Sequence, residues 1–169
     1  MKILIVGSGG REFAIGDKIL QADKNRKLYF APGNGGTKQL GENISVAAED
    51  IHGLLEFAKK ENIDYTVVGP EAPLCEGIVG LFEKEGLSIF GPRAAGAMFE
   101  KSKAFTKDFL VKYDIKTARY LETTDVKKAS EFSRELIEKN GKSVLKADGL
   151  AAGKGVKIVT NVKESDQFI

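Results

Sequence analysis

The chain has 169 residues, room for one compact domain or for one domain and part of a second. Hydrophobic residues make up 42% and charged residues 30%, and the formal net charge of +2 gives no electrostatic reason to expect a nucleic acid or an acidic membrane as partner. The one cysteine, Cys75, excludes an internal disulfide, and no apolar run approaches membrane-spanning length, so the expectation is a cytoplasmic protein.

The first apolar run, Lys2 to Val6, is too short for a secretory segment and reads as a buried strand. It is followed by Gly7-Ser8-Gly9-Gly10 and a helix from about Gly10 to Gln21. Leu28 to Ala31 reads as a second strand, ending in Pro32-Gly33-Asn34-Gly35-Gly36. A short strand is expected at Ile44 to Ala47. A helix follows from about Asp50 to Glu61, with Asp50 as N-cap and Ile51, Leu54, Leu55 and Ala58 on one face. Tyr65 to Val68 is the next strand, closing on Gly69-Pro70-Glu71. A helix over Leu74 to Glu85, ended by Gly86, leads to a strand over Leu87 to Phe90.

Beyond about Phe99 the texture changes. A helix is expected over Ser102 to Tyr113, a short strand over Ala118 to Leu121, and a helix over Asp125 to Asn140 behind Thr124 as N-cap. Ser143 to Ala147 and Val156 to Thr160 read as strands around a glycine-rich loop, and residues 163–169 begin another helix. The alternation of short β-branched runs with amphipathic stretches is that of an α/β sheet, with a boundary near residues 92–102. In an open parallel sheet, ligands bind outside the carboxyl ends of the strands, where the three glycine turns after the strands would meet.

Gly7-Ser8-Gly9-Gly10 lacks the third glycine of a dinucleotide fingerprint, since Glu12 stands there, and the second strand ends without an acidic residue. NAD is therefore rejected. A phosphate at the helix N-terminus, paired with Arg11, and a tight turn with a solvated Arg11–Glu12 pair are equally good readings of this motif alone. The glycines of residues 33–36 could turn several N–H groups toward one anion, or could form a plain loop. Glu71, set between Pro70 and Pro73, could accept from a sugar hydroxyl or an amine, or could simply complement a helix N-terminus.

The strongest signal is Lys146-Ala147-Asp148-Gly149-Leu150-Ala151-Ala152-Gly153-Lys154-Gly155-Val156. It is not a Walker A loop, because Gly155 stands where a hydroxyl is needed and a strand, not a helix, follows. A β-hairpin lid over a nucleotide triphosphate fits better, with Lys146 and Lys154 supplying charge. Lys103, at the start of a helix, could add a third cation. His52, the sole histidine, reads as a surface residue, Cys75 has no histidine nearby to activate it, and no cluster has zinc-ligand spacing. No catalytic residue and no metal ligand is assigned.

Taken together, Gly7-Ser8-Gly9-Gly10-Arg11-Glu12, Ala31-Pro32-Gly33-Asn34, Val68-Gly69-Pro70-Glu71-Ala72-Pro73-Leu74, Ile89-Phe90-Gly91-Pro92, Ser102-Lys103-Ala104-Phe105 and Lys146 to Val156 resemble the glycinamide ribonucleotide synthetases, or phosphoribosylamine–glycine ligases, of the ATP-grasp superfamily. The resemblance runs from residue 1 to about 160. It implies a Rossmann-like, parallel-sheet pre-ATP-grasp domain over residues 1–100, then the incomplete start of an ATP-grasp domain over residues 101–169. It implies the joining of 5-phosphoribosylamine and glycine, through a glycyl phosphate and with ATP converted to ADP and phosphate, in purine biosynthesis. Carried over by residue, Lys103, Lys146, Asp148, Gly149, Gly153, Lys154 and Gly155 would contact ATP. Gly9, Gly10, Arg11, Glu12, Asn34, Gly69, Pro70 and Glu71 would line the amine substrate.

Phe13 departs from the family's histidine, and Lys116 from a commonly seen proline. Members of the family are longer, and the ligands for Mg²⁺ or Mn²⁺, the adenine contacts and the glycine site are expected in the part not present here. The chain thus reads as an N-terminal fragment or split product, inactive alone and able to self-associate, of an enzyme that is a monomer when complete. A non-catalytic nucleotide- or sugar-phosphate-binding module and another ATP-grasp enzyme are the competing readings.

Overall fold

The computed structural model describes residues 1–149 and 155–169. The chain divides into two compact units, Met1–Met98 and Phe99–Ile169.

The first unit is a five-stranded, wholly parallel sheet of β1 (Lys2–Gly7), β2 (Lys27–Pro32), β3 (Glu42–Asn43), β4 (Tyr65–Val68) and β5 (Ile89–Phe90), in the order β3-β2-β1-β4-β5. Central β1 is covered on both faces, which is why Ile3-Leu4-Ile5-Val6 is continuously apolar instead of alternating. Ile3 and Ile5, with Leu28 and Phe30, pack toward Ile15, Ile19 and Leu20 of α1 (Gly10–Ala22). A Cβ at Gly16 would stand 2.6 Å from Phe30 Cζ, so α1 lies against the sheet only because that position is glycine. On the opposite face Leu4, Val6 and Tyr29 join Leu54, Leu55 and Ala58 of α2 (Ile51–Lys60). The same cluster includes Leu74 of α3 (Glu71–Cys75) and Ile78, Val79 and Phe82 of α4 (Ile78–Lys84). Each large apolar side chain so buried contributes roughly 1.5–3 kcal/mol. As expected, Asp50 caps α2 by accepting the Gly53 amide, and Gly86 follows α4 with φ +72°.

Three expectations for this unit are corrected. The single helix over Leu74 to Glu85 is two, because Gly77 adopts φ +93° and a left-handed residue cannot continue a helix. The strand at Ile44 to Ala47 lies earlier, at Glu42–Asn43, where the register Tyr29↔Glu42 and Phe30↔Asn43 pairs it with β2, and the chain turns away when the Val46 amide donates to the Ile44 carbonyl. A short helix, α5 (Ala94–Lys101), stands where none was expected, and it brings Ala97 into the core.

The second unit contains α6 (Lys103–Lys112), α7 (Val126–Asn140), the antiparallel strands β6 (Ser143–Lys146) and β7 (Val156–Val159), and α8 (Val162–Phe168). The two strands expected on either side of the glycine-rich run are there, and residues 150–154 of that run lie outside the described residues. The cap of α7 is Asp125, whose carboxylate accepts the Lys127 and Lys128 amides, not Thr124. Ala118 to Leu121 is not a strand. Its neighbours are side chains, not a ladder: Lys107 Nζ donates to the Thr117 hydroxyl and the Ala118 carbonyl, Arg119 forks onto Glu135, and the Tyr120 hydroxyl donates to Asp108. Among the described residues, no helix is long and apolar enough to cross a membrane.

Candidate functional site

The strand order reverses beside β1, so the crevice between the carboxyl ends of β1 and β4 is the topological switch point where doubly wound sheets take ligands. Gly9 and Gly10 cross the end of β1 and start α1, while Gly69, Pro70 and Glu71 cross the end of β4 and start α3. Arg11 is exposed and its Nε donates to Glu12 Oε1 at 3.1 Å. Glu12, however, is 3% exposed, so the pair is not a solvated one. Its Oε2 accepts the Gly9 amide at 2.6 Å, the half of a capping box that an N3 glutamate supplies. Glu71 is half-buried at the first position of α3.

Asn34 ties the second glycine loop to the first. Its Oδ1 accepts the Gly36 and Thr37 amides at 2.7 and 3.0 Å, and its Nδ2 donates to the Ser8 and Gly9 carbonyls at 2.8 and 3.4 Å. Amides that could have turned toward an anion are thus satisfied by the loop's own side chain. Thr37 and Asn43 complete the knot, with Thr37 Oγ1 donating to Asn43 Oδ1 at 2.8 Å and Asn43 Nδ2 to the Asn34 carbonyl at 2.7 Å. Sequence reasoning missed both. A polar Thr37 beside a glycine run was the available signal, since a fully buried threonine needs such partners.

Within the second unit, Lys103, Lys107, Lys146 and Asp148 border a cleft of about 530 Å³ that continues to Leu145 and Phe132. That size suits a small organic ligand. Asp148 fastens the end of the β6 segment to the start of α6: its Oδ1 accepts the Lys103 amide at 2.7 Å and the Ala104 amide at 3.3 Å, and its Oδ2 accepts the Ser102 hydroxyl at 3.0 Å. Desolvation pushes the Asp148 carboxyl up, but the Lys103 amide, the Ser102 hydroxyl and the Ala104 and Gly149 amides together hold it below the usual carboxylate range. Lys103 Nζ donates to the Gly149 carbonyl at 2.8 Å. Gly149 has φ +89°, and the Gly155 carbonyl accepts the Ala147 amide at 2.7 Å. Gly153 and Lys154 lie outside the described residues. Among those described, no group of three or more His, Cys, Asp or Glu side chains could hold a metal ion.

The phosphoribosylglycinamide synthetase N domain matches residues 1–100, and the ATP-grasp (A) domain of the same synthetase matches residues 101–169. The chain belongs to the phosphoribosylglycinamide synthetase family. All of it is 50% identical to the phosphoribosylamine–glycine ligase of Yersinia pestis and 51% identical to that of Clostridium acetobutylicum, but it spans only 39% and 40% of their lengths. The crystal structure of the Thermotoga maritima phosphoribosylamine–glycine ligase superimposes with a TM-score of 0.69 at 34% identity, over 99% of this chain and 38% of that one. N5-carboxyaminoimidazole ribonucleotide synthetase from the same organism, at 21% identity and a TM-score of 0.65 over 98% of this chain and 42% of its own, shares the fold. The family resemblance read from the glycine motifs is therefore correct, and a mixed α/β chain with a parallel five-stranded sheet is what this family builds.

Proposed function

We propose that this chain supplies the amine-substrate edge and the phosphate-gripping loop of a phosphoribosylamine–glycine ligase. In that reaction ATP phosphorylates the glycine carboxylate, the amine of 5-phosphoribosylamine attacks the resulting acyl phosphate, and the products are the amide, ADP and phosphate. The observation that carries the reading is the convergence of Lys103, Lys107 and Lys146 on one cleft beside the glycine-rich hairpin, in a chain matched by both family domains. Phosphoryl transfer asks chiefly for positioning and charge neutralisation, which three ammonium groups around one cavity can give.

On this reading Lys103, Lys146, Lys154 and the glycines at 149, 153 and 155 hold the ATP phosphates, while Asp148 sets the loop on α6. Gly9, Gly10, Arg11, Gly69, Pro70 and Glu71 face the ribosylamine, with Glu12 and Asn34 beneath them. The described residues do not fit a divalent cation. The Mg²⁺ or Mn²⁺ that accompanies the nucleotide is assigned to the length of the relatives that this chain does not span, and no step here runs through it. A domain boundary near residue 100, a cytoplasmic location and a monomeric complete enzyme belong to the same reading.

A chimera tests it. This chain replaces the matching first 39% of the Yersinia pestis ligase, and ADP release is followed with both substrates present. Turnover that needs glycine and phosphoribosylamine is expected, and Lys146→Ala should raise the KM for ATP at least about tenfold, the loss of one charged phosphate contact. A folded chimera without glycine-dependent ADP release, or unchanged ATP kinetics in Lys146→Ala, sinks the proposal.

A further inference from the structure

The switch-point crevice has a filled floor. The carboxylate of Glu12, buried between the ends of β1 and β4, is met by three glycines from two turns, Gly7 and Gly9 after β1 and Gly69 after β4. A Cβ at Gly7 would stand 2.7 Å from Glu12 Cδ, and one at Gly9 would stand 2.9 Å from Oε2. A Cβ at Gly69 would run into Oε1 and stand 2.6 Å from Cδ. Backbone conformation demands glycine at only one of the three. Gly7 has φ +126°, whereas Gly9 has φ −95° and Gly69 is not among the positive-φ glycines. Contact with Glu12 is what remains to exclude a side chain at positions 9 and 69.

We propose that Glu12 is a positioning residue. Its buried carboxylate, not a bound phosphate, is what Gly7, Gly9 and Gly69 make room for, and it sets both the Gly9–Gly10 turn and the direction of the Arg11 guanidinium. The carboxylate sits in the first turn of α1, where the helix dipole favours an anion, and its bonds to the Gly9 amide and Arg11 Nε are charge-assisted. Holding Arg11 by Nε leaves the fork of its two Nη groups, which have no acceptor among the described residues, turned to solvent for a bidentate anion. A phosphomonoester is thereby kept above the turn, on Arg11 and the Gly10 amide, because the negative floor excludes it from the sheet edge. This last step rests on the reading that the edge takes phosphoribosylamine, whereas the glycine contacts do not.

The test is a double-mutant cycle on the 169-residue chain, read by thermal unfolding and by the ¹⁵N spectrum of the arginine Nε groups. Gly69→Ala and Glu12→Ala should each lower Tm by about 4 °C or more. The double variant should lose clearly less than the sum, since the added methyl enters the space the carboxylate left. Gly9→Ala with Glu12→Ala repeats the cycle with a milder clash should Gly69→Ala not fold. The Arg11 Nε–H resonance should stand apart from those of exposed arginines and join them in Glu12→Gln. Additive losses in both cycles, or an Arg11 resonance that Glu12→Gln does not move, overturn the proposal. Ribose 5-phosphate is then titrated. If the wild-type chain binds none, the substrate reading of this edge fails while the cycles and the Arg11 resonance still decide the role of Glu12. If it binds, Glu12→Gln should weaken it at least about fivefold, and equal affinity overturns the positioning role.

Discussion

Asn34 uses all four hydrogen-bonding positions of its side-chain amide within the protein, two as acceptor and two as donor. The isosteric change Asn34→Asp separates these halves. The carboxylate keeps the Gly36 and Thr37 amides but turns its second oxygen on the Ser8 and Gly9 carbonyls, replacing attraction by repulsion. Leaving such acceptors unpaired costs about 1–3 kcal/mol, so urea denaturation should show a loss of that size in Asn34→Asp, with Asn34→Ala lower still as the Asx turn opens. Wild-type stability in Asn34→Asp would mean that the bridge between the two glycine loops carries no weight.

At the scale of elements, β1, β2, β4, α1, α2, α6 and α7 were legible, because short apolar runs that close on turns and the longer amphipathic stretches between them are written in the chain. What was not legible depended on contacts between segments. Ala118 to Leu121 has strand-like residues but is held by Lys107, Asp108 and Glu135, which no local pattern announces. The glycine motifs marked the sheet edge correctly, yet spacing could not tell a glycine that admits a ligand from one that admits Glu12. The join of β6 to α6 through Asp148 was likewise invisible, since 46 positions separate it from Ser102. That join has a pH dependence. A carboxyl held below its ordinary value adds stability above the unfolded pKa and loses it as pH falls through the folded one. The Lys103 and Ala104 amide resonances should therefore hold steady from neutrality to about pH 4, shift together below it, and lose that inflection in Asp148→Asn. Amides that already shift at or above about pH 4, where a free carboxylate titrates, or that titrate equally in Asp148→Asn, would show that Asp148 does not hold them.

Across the whole chain, burial is unevenly shared. Among the described residues every buried apolar side chain but Val159 lies within residues 1–98. Residues 99–169 bury the Ser133 and Ser165 hydroxyls against each other at 2.7 Å, and leave Val144, Val156 and Ile158 of their hairpin exposed. α6 buries no side chain fully, and its aromatic contacts, Phe99 with Phe105 and Phe109, and Phe109 with Tyr113, stay partly open to water. With roughly 1.5–3 kcal/mol for each large apolar side chain buried, the first unit has many such contributions and the second almost none. Local opening free energy should follow that difference. Limited proteolysis read by mass spectrometry is therefore expected to cut within residues 99–169 first and to leave a resistant product close to residues 1–98. Hydrogen exchange should be slowest in β1 and β2, which are buried on both faces, and faster throughout α6 and α8. Early cleavage between residues 1 and 98, or protection in α6 equal to that in β1, would show that the apolar core does not set the order in which the molecule opens.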